Sequence, residues 1–400
     1  MPCVQGRRTR RTGSLDILVA SDWAPIRAFD PVIRSNPEAV YGDLLPRLRA
    51  ADLRIVNCEC TLTRAGRPVW KSGSVFKGEP ALVKGLTAVP FDVACLANNH
   101  VLDYGVAGLR ETLEVLHRNG IRTVGAGLTE NEAYRPLRLA VNRTKIHIVN
   151  FSEGEDLTAA RGGPGVFGWD LARASSLVST CRAQGGLVIA IAHCGLEYVP
   201  YPPPYVAAAL CAMVDAGADC VIGHHPHVPQ GVQWHRGRPI IYSLGNFVFY
   251  QSTDLHWRRT GFCVSLHVEG NRLSDVELLP YRITDTGVQA LDRKAGAQFR
   301  RTMARLSRPL RTPALAGKAW RAYLDYYGTA GFTGEVLGIL ERMGTDPRKG
   351  AAMFRNRITT MQHRELWCDF LTRMMAGDRP RCSREACRTV EEWFTRKVAV

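Results

Sequence analysis

Residues 221–249 read VIGHHPHVPQGVQWHRGRPIIYSLGNFVF, and this stretch decides the fold. The apolar pair Val221-Ile222 ends in Gly223, and three histidines follow within four positions: His224, His225 and His227. Short runs rich in Val and Ile suit strands buried on both faces. A strand that hands imidazoles to a loop sits where layered α/β proteins place their chemistry. Neutral imidazole is also the commonest metal ligand near pH 7.

Four more apolar runs carry the same kind of cargo. Residues 16–20 (DILVA) end in Ser21-Asp22, and residues 53–57 (LRIVN) run through Asn57 and Cys58 into Glu59. Residues 93–97 (VACLA) end in Asn98-Asn99-His100, with Asp103 three positions on. Residues 187–192 (LVIAIA) end in His193, with Glu197 four positions on. Five runs that each stop at a group able to bind metal or move a proton predict one shared cavity. Carboxylates, an amide oxygen and imidazoles together suit borderline divalent ions, Mn, Fe or Zn. Six or so such groups suit two ions about 3.5–4 Å apart that share one carboxylate, an arrangement fitted to in-line displacement at phosphorus.

Between the runs lie helical patterns at 104–119, 171–184 and 205–216. In the first, Leu109, Leu113 and Leu116 recur at helical spacing, and Gly120 follows as a terminator. Residues 136–148 and 261–283 read as hairpins turning at Asn142-Arg143 and Gly270-Asn271, and 239–249 is strand-rich. The fold class is therefore α/β: a layered body with much antiparallel pairing. Past residue 290 the strand pattern gives way to helical spacing with aromatics. The predicted organisation is a basic, disordered terminus over 1–13, a body over 14–290 and an arginine-rich helical appendage over 291–400. The appendage is expected to pack on the body, over the mouth of the site, with Ser383 capping its last helix.

The 400 residues carry a net charge of +15, and 44 of the 52 basic residues are arginine. Residues 291–400 hold 22 Lys and Arg against 11 Asp and Glu, so most of that charge lies there. A basic surface attracts anions, and an arginine-rich solvated helix face explains it as well. The chain contains no RNA- or DNA-binding module, so a small anionic substrate is expected rather than a specific nucleic acid. No apolar run reaches 18 residues, and the first residues lack the apolar core of a signal peptide; a cytoplasmic setting without a membrane span is expected. The twelve cysteines fall mostly inside apolar patterns, as buried free thiols do. His363, Cys368, Cys382 and Cys387 offer zinc ligands, but their spacing fits no common zinc module.

The order of motifs resembles the CapA/PgsA family of poly-γ-glutamate (capsule) synthesis proteins, within the calcineurin-like metallophosphoesterases. The matching pieces are NCECTLT at 57–63, ANNHVLDYG at 97–105, HCGLEYVPYPP at 193–203 and GHHPHVPQGV…IIYSLGNFVF at 223–249. They span about residues 14–285. The resemblance implies a two-layered β-sandwich flanked by helices, with metals at the strand ends. It implies Asp22, His225 and His227 as ligands mainly of one ion, Asn99 and His193 for the second, and Glu59 as the bridge. His100 would be the catalytic histidine, oriented by Asp103. The sequence departs from the pattern at Ala24, where a ligand histidine is usual in metallophosphoesterases, and at Ser21, where the family has glycine. The N-terminal anchor common in capsule operons is not seen, and the basic tail falls outside the resemblance.

Five further residues are expected to touch substrate or support the ligands. Asn57 and His224 flank the ligand positions, with loop support the simpler role for His224. Asn98 suits a turn cap, Glu197 a partner for an arginine or a ligand histidine, and Asn246 a loop or substrate contact. Two functions follow. One is a phosphatase or phosphodiesterase acting on a phosphorylated or carboxylate-rich metabolite in a biosynthetic pathway. The other is a non-catalytic accessory protein that binds a polyanion in poly-γ-glutamate synthesis.

Overall fold

The computed structural model describes residues 14–377 and 382–398. The terminus over 1–13 lies outside them. Fourteen strands matter to the site. They are β1 (Ser14–Ala24), β2 (Leu53–Cys58), β3 (Val93–Cys95), β4 (Arg122–Val124), β5 (Leu137–Val141), β6 (Thr144–Ser152), β7 (Leu187–His193), β8 (Cys220–His224), β9 (Val232–His235), β10 (Arg238–Ile241), β11 (Asn246–Phe249), β12 (Thr260–Glu269), β13 (Arg272–Ile283) and β14 (Val288–Ala290). One sheet runs β14-β13-β12-β1-β2-β3-β4, with β11 also paired to β1. The other runs β9-β10-β8-β7-β6-β5. β1, β2, β3 and β4 are mutually parallel, as are β6, β7, β8 and β10. The hairpins β5-β6 and β12-β13 add the antiparallel pairs.

Strand alternation explains why the central runs are apolar throughout. Ile17, Val19, Ile55 and Val93 face inward against Ile146, Ile148, Ile189, Ile191 and Ile222 of the second sheet. Their neighbours Leu18, Ala20, Val56 and Ala94 point outward onto Leu109 and Leu116 of helix α1 (Gly105–Arg118). On the far side, Val149, Val188 and Ala190 meet Val178 of α2 (Leu171–Ala183) and Leu210 and Met213 of α3 (Pro204–Asp215). Both faces of the central strands are therefore dry, while the edge strands remain partly exposed. Truncating one of these isoleucines to alanine would cost about 2–5 kcal/mol.

Among the described residues these helical segments follow the last strand: α4 (Arg293–Ser307), α5 (Pro313–Thr345), which is broken by a kink at Gly328, α6 (Pro347–Thr359), α7 (Met361–Ala376) and α8 (Arg384–Thr395). Side chains of Thr312, Asp346 and Ser383 cap α5, α6 and α8 by accepting backbone N–H groups of the first turn. These helices are less an appendage than an extension of the inter-sheet core. Phe299, Met303, Leu306, Trp320, Leu366, Val390 and Trp393 join the same apolar cluster as Ile17 and Ile189. Trp393 of α8 stacks on Trp257 of the body with ring centroids 4.1 Å apart. Cys382 and Cys387 form a disulfide, which removes their thiolates from any zinc site with His363 and Cys368 and departs from the expectation of free thiols. Among the described residues, no helix is long and apolar enough to cross a membrane.

Candidate metal centre

The parallel strands deliver their C-terminal ends to one place. β1 slips register against β2 between Ala20 and Asp22, which aligns Asp22 with both Asn57 and Asn246. Ser21 at the slip donates its hydroxyl proton to the Gly245 carbonyl. A bulge of this kind re-aims a side chain. Beyond β8, His225 and His227 adopt φ of +99° and +57°, in the left-handed region that L side chains rarely occupy. Such backbone costs of order 1–3 kcal/mol per residue and is held only where the surroundings enforce it.

The side chains meet in two groups that share Glu59. In the first, Asp22 Oδ1 accepts from Asn57 Nδ2 at 2.9 Å and lies 3.1 Å from His224 Nδ1, while Asp22 Oδ2 lies 3.3 Å from His227 Nδ1. His227 Nδ1 also donates to Asn246 Oδ1 at 2.8 Å, which leaves its Nε2, 3.7 Å from Glu59 Oε1, with a lone pair in the neutral ring. In the second, His193 Nε2 lies 3.0 Å from Asn99 Oδ1, 3.0 Å from His225 Nδ1 and 3.5 Å from Glu59 Oε1. Ligand atoms of Glu59, His225 and His227 all fall within 4.8 Å of one another. The resemblance assigns His225 to the Asp22–His227 side. Its Nδ1 stands 3.0 Å from His193 Nε2 while its ring also shares a ligand cluster with Glu59 and His227, so it lies between the two groups.

The residues fit a divalent ion. Asp22 Oδ2, both oxygens of Glu59, Asn57 Oδ1 and His224 Nε2 are buried without a hydrogen-bond partner. Glu59 is fully inaccessible. Unpaired buried carboxylate oxygens cost several kcal/mol unless a cation answers them. Donor atoms about 2.1 Å from a common ion stand roughly 3.0–3.4 Å apart at octahedral or tetrahedral angles, the spacing found around His193 Nε2. The charges point the same way. Burial and the nearby Asp22 carboxylate push Glu59 well up, and burial pushes His193 well down. Burial opposes a charge on His227, yet Glu59 and Asp22 raise it to about 10, so in the metal-free chain Nε2 carries a proton that an ion would displace to reach the lone pair.

His100 stands beside this cluster. Its Nδ1 lies 2.6 Å from Asp103 Oδ2, and its ring packs on Phe76 with centroids 4.2 Å apart. Burial, then the Lys71 ammonium, lower the His100 pKa and keep the ring neutral near pH 7. Asp103 does more than orient it. The carboxylate also accepts from the Phe76 N–H at 2.6 Å and from Lys71 Nζ at 2.9 Å, a pair almost wholly shielded from solvent. Asn98 caps the turn, accepting from the His100 and Val101 N–H groups at 3.0 Å each and donating to the Cys58 carbonyl. Glu197 acts through space on Glu59, His225 and His227.

Four neighbours escape the sequence analysis. Lys71 sits in a loop without periodic pattern. Glu153 and Glu155 follow β6 directly, but the hairpin expected from sequence stops at residue 148, four positions before the strand ends at Ser152. Carried to its true end, the strand-end rule finds both. Gln362 lies on α7, far from any strand, and no sequence signal marks it.

A two-sheet sandwich flanked by helices, with carboxylates, an asparagine and histidines gathered where the strands end, defines a metallophosphoesterase-like protein. The chain belongs to the bacterial capsule synthesis protein family PGA_cap, whose family model matches residues 16–251. It is 34% identical over 206 residues to the PGA biosynthesis protein CapA of Bacillus subtilis, covering 50% of this chain and 53% of that protein. It is 30% identical over 292 residues to a "Probable polyglutamine synthesis accessory protein" of Mycobacterium tuberculosis, covering 67% of this chain and 76% of that one. The chain thus spans about half the length of the Bacillus relatives it matches. Among solved structures, a 5'-nucleotidase precursor of Thermus thermophilus aligns with TM-score 0.43 at 13% identity, over 73% of this chain and 58% of that one.

Proposed function

We propose that the chain is a metal-dependent hydrolase that cleaves a phosphate ester of a soluble anionic metabolite in a biosynthetic pathway. The observation that carries this reading is the set of buried donor atoms without partners around Glu59. Asp22, Glu59, Asn99, His193, His225 and His227 would hold two divalent ions, Mn, Fe or Zn, with Glu59 between them. Ions held there would activate water and neutralise charge developing at phosphorus. His100, with Nδ1 fixed on Asp103, presents Nε2 as a base that would first take up a proton from water and then give it to the leaving oxygen. Asn57, His224 and Asn246 hold Asp22 and His227 by hydrogen bonds, and Asn98 holds the loop that carries Asn99 and His100.

Metal analysis of the purified chain, then turnover of phosphorylated metabolites with Mn, Fe and Zn, tests this. Two equivalents of metal and turnover lost on chelation support it; a metal-free, inert chain sinks it.

A second reading has its own support. The space between Asn99, Glu155, His193, His225 and Gln362 measures only about 10 Å³, room for one water at most. A site without room for an ester suits an accessory protein of poly-γ-glutamate synthesis that binds a polyanion on its arginine-rich surface and does not turn over. The family match favours a role in that synthesis. Tight binding of poly-γ-glutamate by a chain inert toward every phosphate ester would select it.

A further inference from the structure

The closure over the site is built from helices outside the family match, and one of their residues touches a candidate ligand. α6 ends at Thr359, Thr360 is extended, and α7 starts at Met361. This corner drives Gln362 into the site, where it is 2% exposed. Its Oε1 lies 2.8 Å from His225 Nε2, and its Nε2 lies 3.3 Å from His363 Nε2. Its backbone N–H donates to Glu153 Oε2 at 3.3 Å.

An amide oxygen only accepts, so the His225 proton sits on Nε2 and its lone pair on Nδ1. That Nδ1 is the atom 3.0 Å from His193 Nε2, on the side where ligand atoms gather. Glu155 does the corresponding work for Asn99. It accepts from Asn99 Nδ2 at 3.1 Å, which turns the amide oxygen toward His193. Glu155 is itself clamped by the helices, accepting from Asn356 Nδ2 at 3.0 Å and lying 3.7 Å from His363 Nε2. Lys349 of α6 reaches the carbonyls of Lys71 and Gly73 at 3.1 and 2.8 Å, which ties the Lys71 loop to the same helices.

We propose that the helical segment completes the candidate metal centre, with Gln362 as the positioning residue that fixes the His225 ring so that Nδ1 faces the ion. The inference rests on the metal-centre reading and adds a dependence that neither the family match nor the strand-end motifs contain. Groups behind metal-bound histidines typically affect metal affinity about 10–100-fold.

The test is Mn²⁺ binding to the full chain, by calorimetry and by competition with a chelating indicator. Wild type is compared with Gln362→Met, which keeps bulk without the acceptor, and with Gln362→Glu, which keeps an acceptor at that reach. The inference expects Gln362→Met to bind one of two equivalents about 10–100-fold more weakly and Gln362→Glu to stay within a few-fold of wild type. ¹⁵N chemical shifts of the metal-free wild-type chain should place the His225 proton on Nε2. Equal affinity in Gln362→Met and wild type overturns the inference and leaves the metal centre intact. Equal weakening in both variants overturns it too, since the helix contact and not the acceptor would then matter. A wild-type chain that binds no divalent ion overturns both readings. Should Gln362→Met fail to fold, the nitrogen shifts decide: a proton on Nδ1 of His225 refutes the assignment.

Discussion

The two sides of the centre are supported in different ways. Asp22 and His227 are held by Asn57, His224 and Asn246, all of them on strands of the sandwich or at their ends. Asn99 and His225 are held by Glu155 and Gln362, whose own partners lie on α6 and α7. The first side is set as soon as the sheets form. The second depends on some hundred residues of later sequence docking correctly. One family framework can therefore carry a site whose second side answers to a segment beyond the residues that the family model matches.

The largest effect is expected at the residue common to both sides. Glu59→Gln should abolish binding of both ions, read by metal analysis. The same change should stabilise the metal-free chain by about 1–3 kcal/mol in chemical denaturation, because burying Glu59 without an ion requires it to take up a proton on folding and a neutral amide does not. A variant that keeps one ion would show that the two sides do not share Glu59.

His100→Ala should next lower kcat by about 10²–10⁴-fold while leaving metal content unchanged, if the chain turns over phosphate esters. Asp103→Asn should cost stability as well, about 3–5 kcal/mol by urea unfolding, since it strands the Lys71 ammonium in the interior. A fully stable Asp103→Asn chain would mean that Lys71 finds Asp156, 3.9 Å away, without loss.

A sharper comparison sets Asn246→Leu against Gln362→Met. Each removes the acceptor behind one histidine, so each should weaken a different ion by about 10–100-fold, and the double variant should show both losses side by side. Loss of the same ion in both variants would dissolve the distinction between the sides.

The smallest effect concerns the far edge of the helical segment. Burial, then Arg396, lowers His256 from its ordinary 6.5 to about 4. The unfolded chain therefore binds that proton more readily between those values. The stability from the neutral ring is full above pH 6.5 and is lost as the pH falls toward 4. Allowing for partial exposure, about 1–2 kcal/mol should disappear over that range, read as a falling melting temperature that His256→Gln flattens.

The sandwich side of this comparison was legible in the sequence. Val19, Ile55, Ile189 and Ile222 announce strands, and each run stops at its functional group because a parallel sheet brings its strand ends to one edge. Asn142 and Arg143 mark their turn, and both have positive φ in the structure. On the helical side the helices and the Ser383 cap were legible, but not the residue that reaches the site. A lone glutamine on an amphipathic helix carries no periodic signal, and its value comes only from a corner at Thr360 that tertiary packing creates. The same packing puts Trp320 and Trp393 in one apolar cluster with Ile17 and Ile189 of the strands.

The burial of Gln362 has a consequence in time. His225 and Gln362 are each 2% exposed, so with the helices docked the corner at Thr360 would screen an ion seated beside His225 from solvent on that side. Its exchange is then expected to slow as that corner is made harder to open. The metal recovered with the purified chain would record what was at hand when the helices last closed, and prolonged dialysis against a competing ion would exchange one equivalent far more slowly than the other.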